Sequence, residues 1–278
     1  MLGSQGTANQ GGWVVKRGIL LVAALAILQG CATQLEMRSA PKPGEAPHVS
    51  PIPLLRFQGA SIERGDDDAL VPPVDLRPGD IILTSTATLT SAGIRLMTFA
   101  PVSHAAVYVG NGRVVEAVGS GVQVRSLRRL LEEEGLALAL RYRDLTAQQA
   151  QSVRSVALEK VGRSFNYVGV AVHVPFSINR RLCELPLLPA VVRDVCLRGL
   201  GGMHHLVTSK RALFCSQLVL QSYQQAGVPI TDADSRLISP ADILHMREGD
   251  VSSFKVKQPL RLVGHLKYQV VAAAPLAH

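Results

Sequence analysis

The sequence predicts an α+β domain in which an antiparallel sheet packs against helices. Short apolar strand candidates crowd the stretch from Asp80 to Tyr142, two of them joined by Asn111-Gly112, a strong two-residue hairpin signal. Two longer stretches, beginning at Thr146 and at Cys215, carry the apolar spacing of helices and end in glycine. Residues 74–268 are enough chain for one substantial core, and they contain no internal repeat.

The elements follow in order. Pro78-Gly79 turns the chain into a strand from Asp80 to Thr84, and a second strand runs from Ser103 to Val109. The Asn111-Gly112 turn then predicts that Arg113 to Val118 pairs antiparallel with it. Gly119 to Gly121 turns the chain again, into Val122-Gln123-Val124, and Leu136 to Tyr142 is a further strand. Thr146 caps a helix that reaches about Val161 and stops at Gly162. The Cys215 helix places Leu218, Val219, Ser222, Tyr223 and Ala226 on one face, with Gly227 as its stop. Ser239-Pro240-Ala241-Asp242 reads as a cap with proline at the first helical position, which accounts for Asp242 structurally. A last strand, roughly Leu260 to Leu266, completes the sheet, and 269–278 is a C-terminal tail.

Residues 174–210 differ in character. Pro175, Pro186, Pro189, Gly199, Gly201, Gly202 and two cysteines mark an insertion between core elements, placed to form a lid or one wall of a cleft. The N-terminal third is different again. Lys16-Arg17 followed by about eleven apolar residues is an export signal, too short for the roughly twenty residues a spanning helix needs. Leu28-Gln29-Gly30-Cys31 resembles the bacterial lipobox, so 1–30 is expected to be a lipoprotein signal peptide, cut before a lipidated Cys31. Ala32 in the next position favours the outer membrane, facing the periplasm, if the cell is diderm. Residues 31–73 carry seven prolines and little periodicity, and read as a tether of roughly 35 Å average span as a flexible coil. Alternatively Ile52 to Phe57 packs on the domain as an added strand.

Loss of the signal lowers the formal charge from +8 to +6. That modest excess suits a site beside anionic lipid or wall polymer. No dense Arg/Lys stripe with interleaved aromatics points to nucleic acid.

Chemistry concentrates on His104, Glu116 and Cys215. A thiol in the first turn of a helix faces N-terminal amides and a dipole that favour the thiolate, and a histidine is the base that such a nucleophile requires. Glu116 is the acid placed to orient it. The hairpin register leaves that role open: a two-residue turn at Asn111-Gly112 sets Glu116 opposite Val107 and His104 opposite position 119, so the acid reaches the imidazole only through a bulge or sheet twist.

Gly79-Asp80-Ile81-Ile82-Leu83, Ser103-His104-Ala105-Ala106-Val107-Tyr108-Val109-Gly110, Val115-Glu116-Ala117, Gly162-Arg163-Ser164-Phe165-Asn166-Tyr167 and Phe214-Cys215-Ser216-Gln217-Leu218-Val219, in that order, resemble the permuted papain-like amidases of the YaeF and YiiX type, within the NlpC-like superfamily. The resemblance covers about Val74 to Leu266. It implies a circularly permuted papain-like fold with the histidine strand before the cysteine helix, Cys215 as nucleophile at a helix N-terminus, His104 as base and then acid, and Glu116 as the residue that orients His104. It implies no metal and no cofactor. Asn166 and Tyr167, which stand where the family usually has an acidic or Asn residue with an aromatic, become candidates for substrate contact. The implied function is an envelope-anchored cysteine hydrolase acting on amide bonds, with cell-wall peptides the natural substrate. A lipid or thioester acyl hydrolase or acyltransferase with the same site, or a binding lipoprotein without turnover, are the alternatives. Its partners are then a peptide or acyl substrate in the envelope and the membrane through the N-terminal lipid.

With Cys31 lipidated, three thiols remain in an oxidising compartment and one must stay unpaired. A disulfide between Cys183 and Cys196 would staple the insertion and leave Cys215 free; the alternative is two buried thiols. Cys183, Cys196, His204 and His205 match no common zinc spacing.

Overall fold

The computed structural model describes residues 33–37, 53–57, 70–85, 101–167, 192, 195–196 and 212–268. The signal segment, Cys31, most of 174–210 and the tail 269–278 lie outside these residues.

Eight strands and four α-helices occur among the described residues. In chain order they are β1 (Thr33–Met37), β2 (Pro53–Phe57), β3 (Ile81–Ser85), β4 (His104–Gly110), β5 (Arg113–Val118), β6 (Gly121–Ser126), α1 (Leu127–Glu133), β7 (Leu136–Tyr142), α2 (Ala147–Glu159), α3 (Cys215–Gln225), α4 (Pro240–His245) and β8 (Leu260–Tyr268). Six strands form one sheet in the order β6-β5-β4-β3-β7-β8, every neighbouring pair antiparallel. β1 and β2 pair with each other in a separate two-stranded sheet. Strand pairing thus runs through part of the segment read from sequence as an irregular tether, and Pro53 to Phe57, most of the alternative strand, finds its partner in residues 33–37. Proline stands at the first position of β2, where it displaces least of the ladder.

Both faces of the six-stranded sheet are covered, which explains why β3 reads as an unbroken apolar run rather than an alternating one. One face buries Ile81, Leu83, Ala105, Val107, Val115 and Leu138 with Val153 of α2, Leu218 and Tyr223 of α3 and Ile243 of α4. The other buries Ile82, Ala106, Tyr108, Val114 and Ala139 with Leu127 and Leu130 of α1. Each fully buried Ile or Leu contributes roughly 1.5–3 kcal/mol relative to exposure.

Local signals fix the helix ends. Thr146 Oγ1 accepts from the Gln149 N–H while the Gln149 side chain accepts from the Thr146 N–H, a complete capping box; Ser239 and Asp242 repeat it at α4. Helix α3 stops at Ala226, and Gly227 follows with φ +79°. Helix α1 was not expected from sequence: Ser126 makes no side-chain cap, and its support comes from the sheet face that it covers.

Long-range bonds brace α3 against the far end of the sheet. Tyr223 Oη donates to the Gly79 carbonyl, and its ring stacks on Tyr142 with centroids 5.6 Å apart. Asp80, beside Gly79, takes two 2.7 Å bonds from Arg141 of β7 and one from the Arg77 N–H. The Gly79-Asp80 motif therefore anchors the helix that carries Cys215, from the opposite end.

Candidate active site

The hairpin between β4 and β5 decides the geometry. Asn111 and Gly112 both have positive φ, +53° and +63°, as the two-residue turn demands. Next to the turn Gly110 pairs with Arg113, but Tyr108 already pairs with Val114, so one extra residue is accommodated at a bulge. Gly110 has φ +85°, a conformation that glycine adopts at little cost. Beyond the bulge Glu116 lies opposite Ala106, not Val107. A slip of one residue moves a side chain to the other face of the sheet, so the bulge brings Glu116 onto the face shared by His104. The two become a diagonal cross-strand pair, and His104 Nε2 lies 3.0 Å from Glu116 Oε2. The simple register predicted from the turn is corrected by that single residue.

Glu116 is fully buried and would be costly as an isolated anion. Its other oxygen accepts from Gln123 Nε2 at 3.1 Å and from Arg125 Nη1 at 3.5 Å, both on β6. Arg125 in turn pairs with Glu133 of α1. Burial alone raises the Glu116 carboxyl, but the His104 hydrogen bond and charge, with Gln123 and Arg125, outweigh it and hold the group below the usual carboxylate range.

Cys215 opens α3 and is a free thiol. Phe214 before it is extended, and the strand-like bridge Phe165↔Leu213 fixes the approach, with Asn166 N–H donating to the Leu213 carbonyl at 3.0 Å. Ser216 Oγ donates to the Ile238 carbonyl at 2.5 Å and pins the first turn. The thiol and the His104 ring interact directly. Because Nε2 is engaged by Glu116, Nδ1 is the ring nitrogen left for sulfur. Burial raises the Cys215 thiol, yet the His104 hydrogen bond and charge and the backbone N–H groups of Ala105 and Ser216 bring it below its ordinary value. For His104 burial is again the largest influence and lowers it; the bonds and charges of Cys215 and Glu116 prevail and push it up to about 10. The three residues singled out in the sequence, separated by up to 111 positions, are thus one connected cluster that favours thiolate and imidazolium together.

Of the two candidates for substrate contact, Asn166 is buried and Tyr167 is 64% exposed. Tyr167 Oη donates to the Gly119 carbonyl at 2.7 Å, and its ring meets Phe165 edge-on at 5.0 Å. A Cβ on Gly119 would come within 2.8 Å of that oxygen, so a larger residue there would require the exposed Tyr167 ring to shift and give up this bond. Cys196 is disulfide-bonded to a residue outside those described, where Cys183 also lies. Among the described residues no group of three or more His, Cys, Asp or Glu is arranged to hold a metal ion.

Sequence reading missed Gln123, Arg125 and Glu134. Gln123 was legible, because the Gly119–Gly121 turn sets it opposite Glu116. Glu134 ends the run Glu132-Glu133-Glu134, which reads as solvated surface, yet it is only 5% exposed.

Comparison with known proteins agrees with the ordered motifs. A profile of the permuted papain-like amidase enzymes, the YaeF/YiiX, C92 family, matches residues 75–170, a span that includes His104 and Glu116 but not Cys215. The Escherichia coli (strain K12) protein named "Probable lipoprotein peptidase YaeF" is 39% identical over 216 residues, covering 77% of this chain and 78% of that protein. The chain belongs to the permuted papain-like amidase family. It is accordingly a hydrolase, a cysteine amidase/peptidase. The crystal structure of metalloprotein yiiX from Escherichia coli O157:H7 is 21% identical over 56% of this chain and 69% of that one, with a TM-score of 0.38, a likeness too slight to bear on fold or chemistry.

Proposed function

We propose that this family member is an envelope-anchored cysteine hydrolase that cleaves amide bonds in cell-wall peptides, with Cys215 as nucleophile, His104 as general base and acid, and Glu116 as the residue that orients His104. The observation that carries this reading is the 3.0 Å contact between His104 Nε2 and a fully buried Glu116, coupled on the other side of the ring to a free thiol at a helix start. The name of the YaeF relative, a lipoprotein peptidase, supports both the anchor at Cys31 and a peptide substrate.

In this mechanism the Cys215 thiolate attacks the amide carbonyl carbon, and the π electrons move to oxygen. The Cys215 N–H, free of intrahelical bonding by its place in the first turn, contributes to holding that oxyanion. Protonated His104 passes its proton to the leaving nitrogen as the C–N bond breaks, and an acyl-enzyme remains. Neutral His104 then takes a proton from water as it attacks the thioester, the thiolate leaves, and the imidazolium is restored. Glu116 keeps the ring in the orientation and charge state that both transfers need.

The test is to incubate the full-length protein and Cys215→Ala with peptidoglycan fragments and, separately, with phospholipid vesicles. Release of new amino groups from the fragments by the wild type alone supports the reading. Turnover of vesicle lipid instead would make it an acyl hydrolase, and turnover of neither would remove the hydrolytic assignment of wall peptides.

A further inference from the structure

Beside the His104–Glu116 pair lies a third buried acid. Glu134 follows the last residue of α1, with its N–H bonded to the Leu130 carbonyl at 3.1 Å and its backbone already extended toward β7. This turn carries its carboxyl inward. Glu134 Oε2 is buried and has no hydrogen-bond partner among the described residues. Thr84 lies directly opposite His104 in the β3–β4 ladder and faces the Glu134 carboxyl. A buried carboxylate oxygen without a partner calls for a reason, and this one belongs to the acid that meets the residue opposite the candidate catalytic histidine.

The groups that act on Glu134 among the described residues come from four strands. His104 is presented by β4, Glu116 by β5, Arg125 by β6 and the Thr84 hydroxyl by β3. Glu133 of α1 is engaged by Arg125, and Lys267 of β8 spends its ammonium on the Leu131 carbonyl at 2.6 Å and, more distantly, on that of Glu132. Among the described residues no cation is therefore dedicated to Glu134. Two carboxyls enclosed beside one histidine resist ionising together, and Glu116, with three donors, is the one that keeps the charge.

We propose that Glu134 is a further positioning residue of this hydrolase, a second acid that acts through Glu116 and Thr84 to set how tightly His104 holds its proton. The proposal rests on His104 and Cys215 being the catalytic pair. With Glu134 neutral, His104 feels one carboxylate and remains able to give its proton to the leaving group. When Glu134 loses its proton to solvent at higher pH, a second negative charge faces the ring, and the imidazolium is held more firmly. Burial, the largest influence, pushes the Glu134 carboxyl above the usual range and Glu116 adds to that, while His104, Arg125 and the Thr84 hydrogen bond oppose it.

The experiment is the pH dependence of Cys215 alkylation by iodoacetamide in the wild type, Glu134→Gln and Glu134→Asp. Alkylation follows the thiolate at the acid limb and reports the loss of the His104 proton at a second, alkaline inflection. Removing an acid that ionises at high pH removes charge that holds the proton, so Glu134→Gln should bring the alkaline inflection down by about one pH unit. Glu134→Asp should restore it. Superposable wild-type and Glu134→Gln curves would overturn the proposal while leaving the catalytic pair intact. An ordinary thiol curve in the wild type, indifferent to His104→Ala, would instead overturn the pair itself. If Glu134→Gln does not fold, carbon NMR of the glutamate-labelled wild type decides: one carboxyl titrating above the others, and moving on alkylation of Cys215, is expected, and uniform titration of all would overturn it.

Discussion

Asp80 and Glu116 are both buried carboxylates on the same sheet, each held by a partner from a neighbouring strand, yet they serve opposite ends. Asp80 is gripped by Arg141, a cation that keeps its proton throughout the accessible pH range, and its bonds of 2.7 Å tie β3 to β7 and the turn behind Tyr223. Glu116 faces His104, whose proton is exchangeable, and is steadied from behind by Gln123 and Arg125. Burial and charge are alike; the partner's acidity differs. A fixed cation makes a brace, and a titratable one makes a site.

The sharpest test of the contrast lies at the thiol. Cys215→Ala should lower kcat/KM by at least about 10⁴-fold while leaving the melting temperature nearly unchanged; a variant that keeps a hundredth of the activity would place the nucleophile elsewhere. At the other end, Asp80→Asn leaves Arg141 without its counter-charge and should cost about 3–5 kcal/mol in urea denaturation. The pH limits of activity should not move in the fraction that stays folded, and a loss under about 1 kcal/mol would mean that the brace is no brace.

Glu116→Gln should reverse that pattern. It keeps the shape of the side chain and removes the charge, so kcat/KM should fall by about 10²-fold, with the alkaline limb of activity moving down toward the ordinary histidine value of 6.5. An unchanged alkaline limb would show that Glu116 is as purely structural as Asp80. On the proposed mechanism the wild-type pair requires thiolate and imidazolium together. The acid limb should therefore lie below the free-thiol value of 9.0 and the alkaline limb well above 6.5, near 10, with both limbs belonging to the pair. The stability due to the raised His104 follows the same sign: it is fully present below about 6.5 and is lost as pH rises through about 10.

The smallest effect is expected at Tyr167. Because the ring is largely exposed and water replaces its lost bond, Tyr167→Phe should cost no more than about 1 kcal/mol in stability. A rise in KM with kcat unchanged would add substrate contact to its role.

Local chemistry made much of this fold readable. Asn111-Gly112 announced the hairpin, Thr146 and the Ser239–Asp242 cap announced two helix starts, and Gly227 announced an end, because each is a contest between a few neighbouring backbone groups. Helix α1 was not legible, since it lacks a capping side chain and is held by the sheet face it covers. The pairing of β1 with β2 was not legible either, for the segment has no periodicity that exceeds its prolines.

The site divides along the same line. By itself the sequence determined the residue types and their order: a histidine opening a strand, an acid on the next strand, and a cysteine opening a helix. What only the tertiary structure decided is that the acid reaches the histidine at all. One extra residue beside Gly110 turns Glu116 to the face of His104, and Gln123 and Arg125 of the next strand then steady the buried carboxylate against it. Register and burial depend on how distant segments pack, and no short stretch of sequence contains that information.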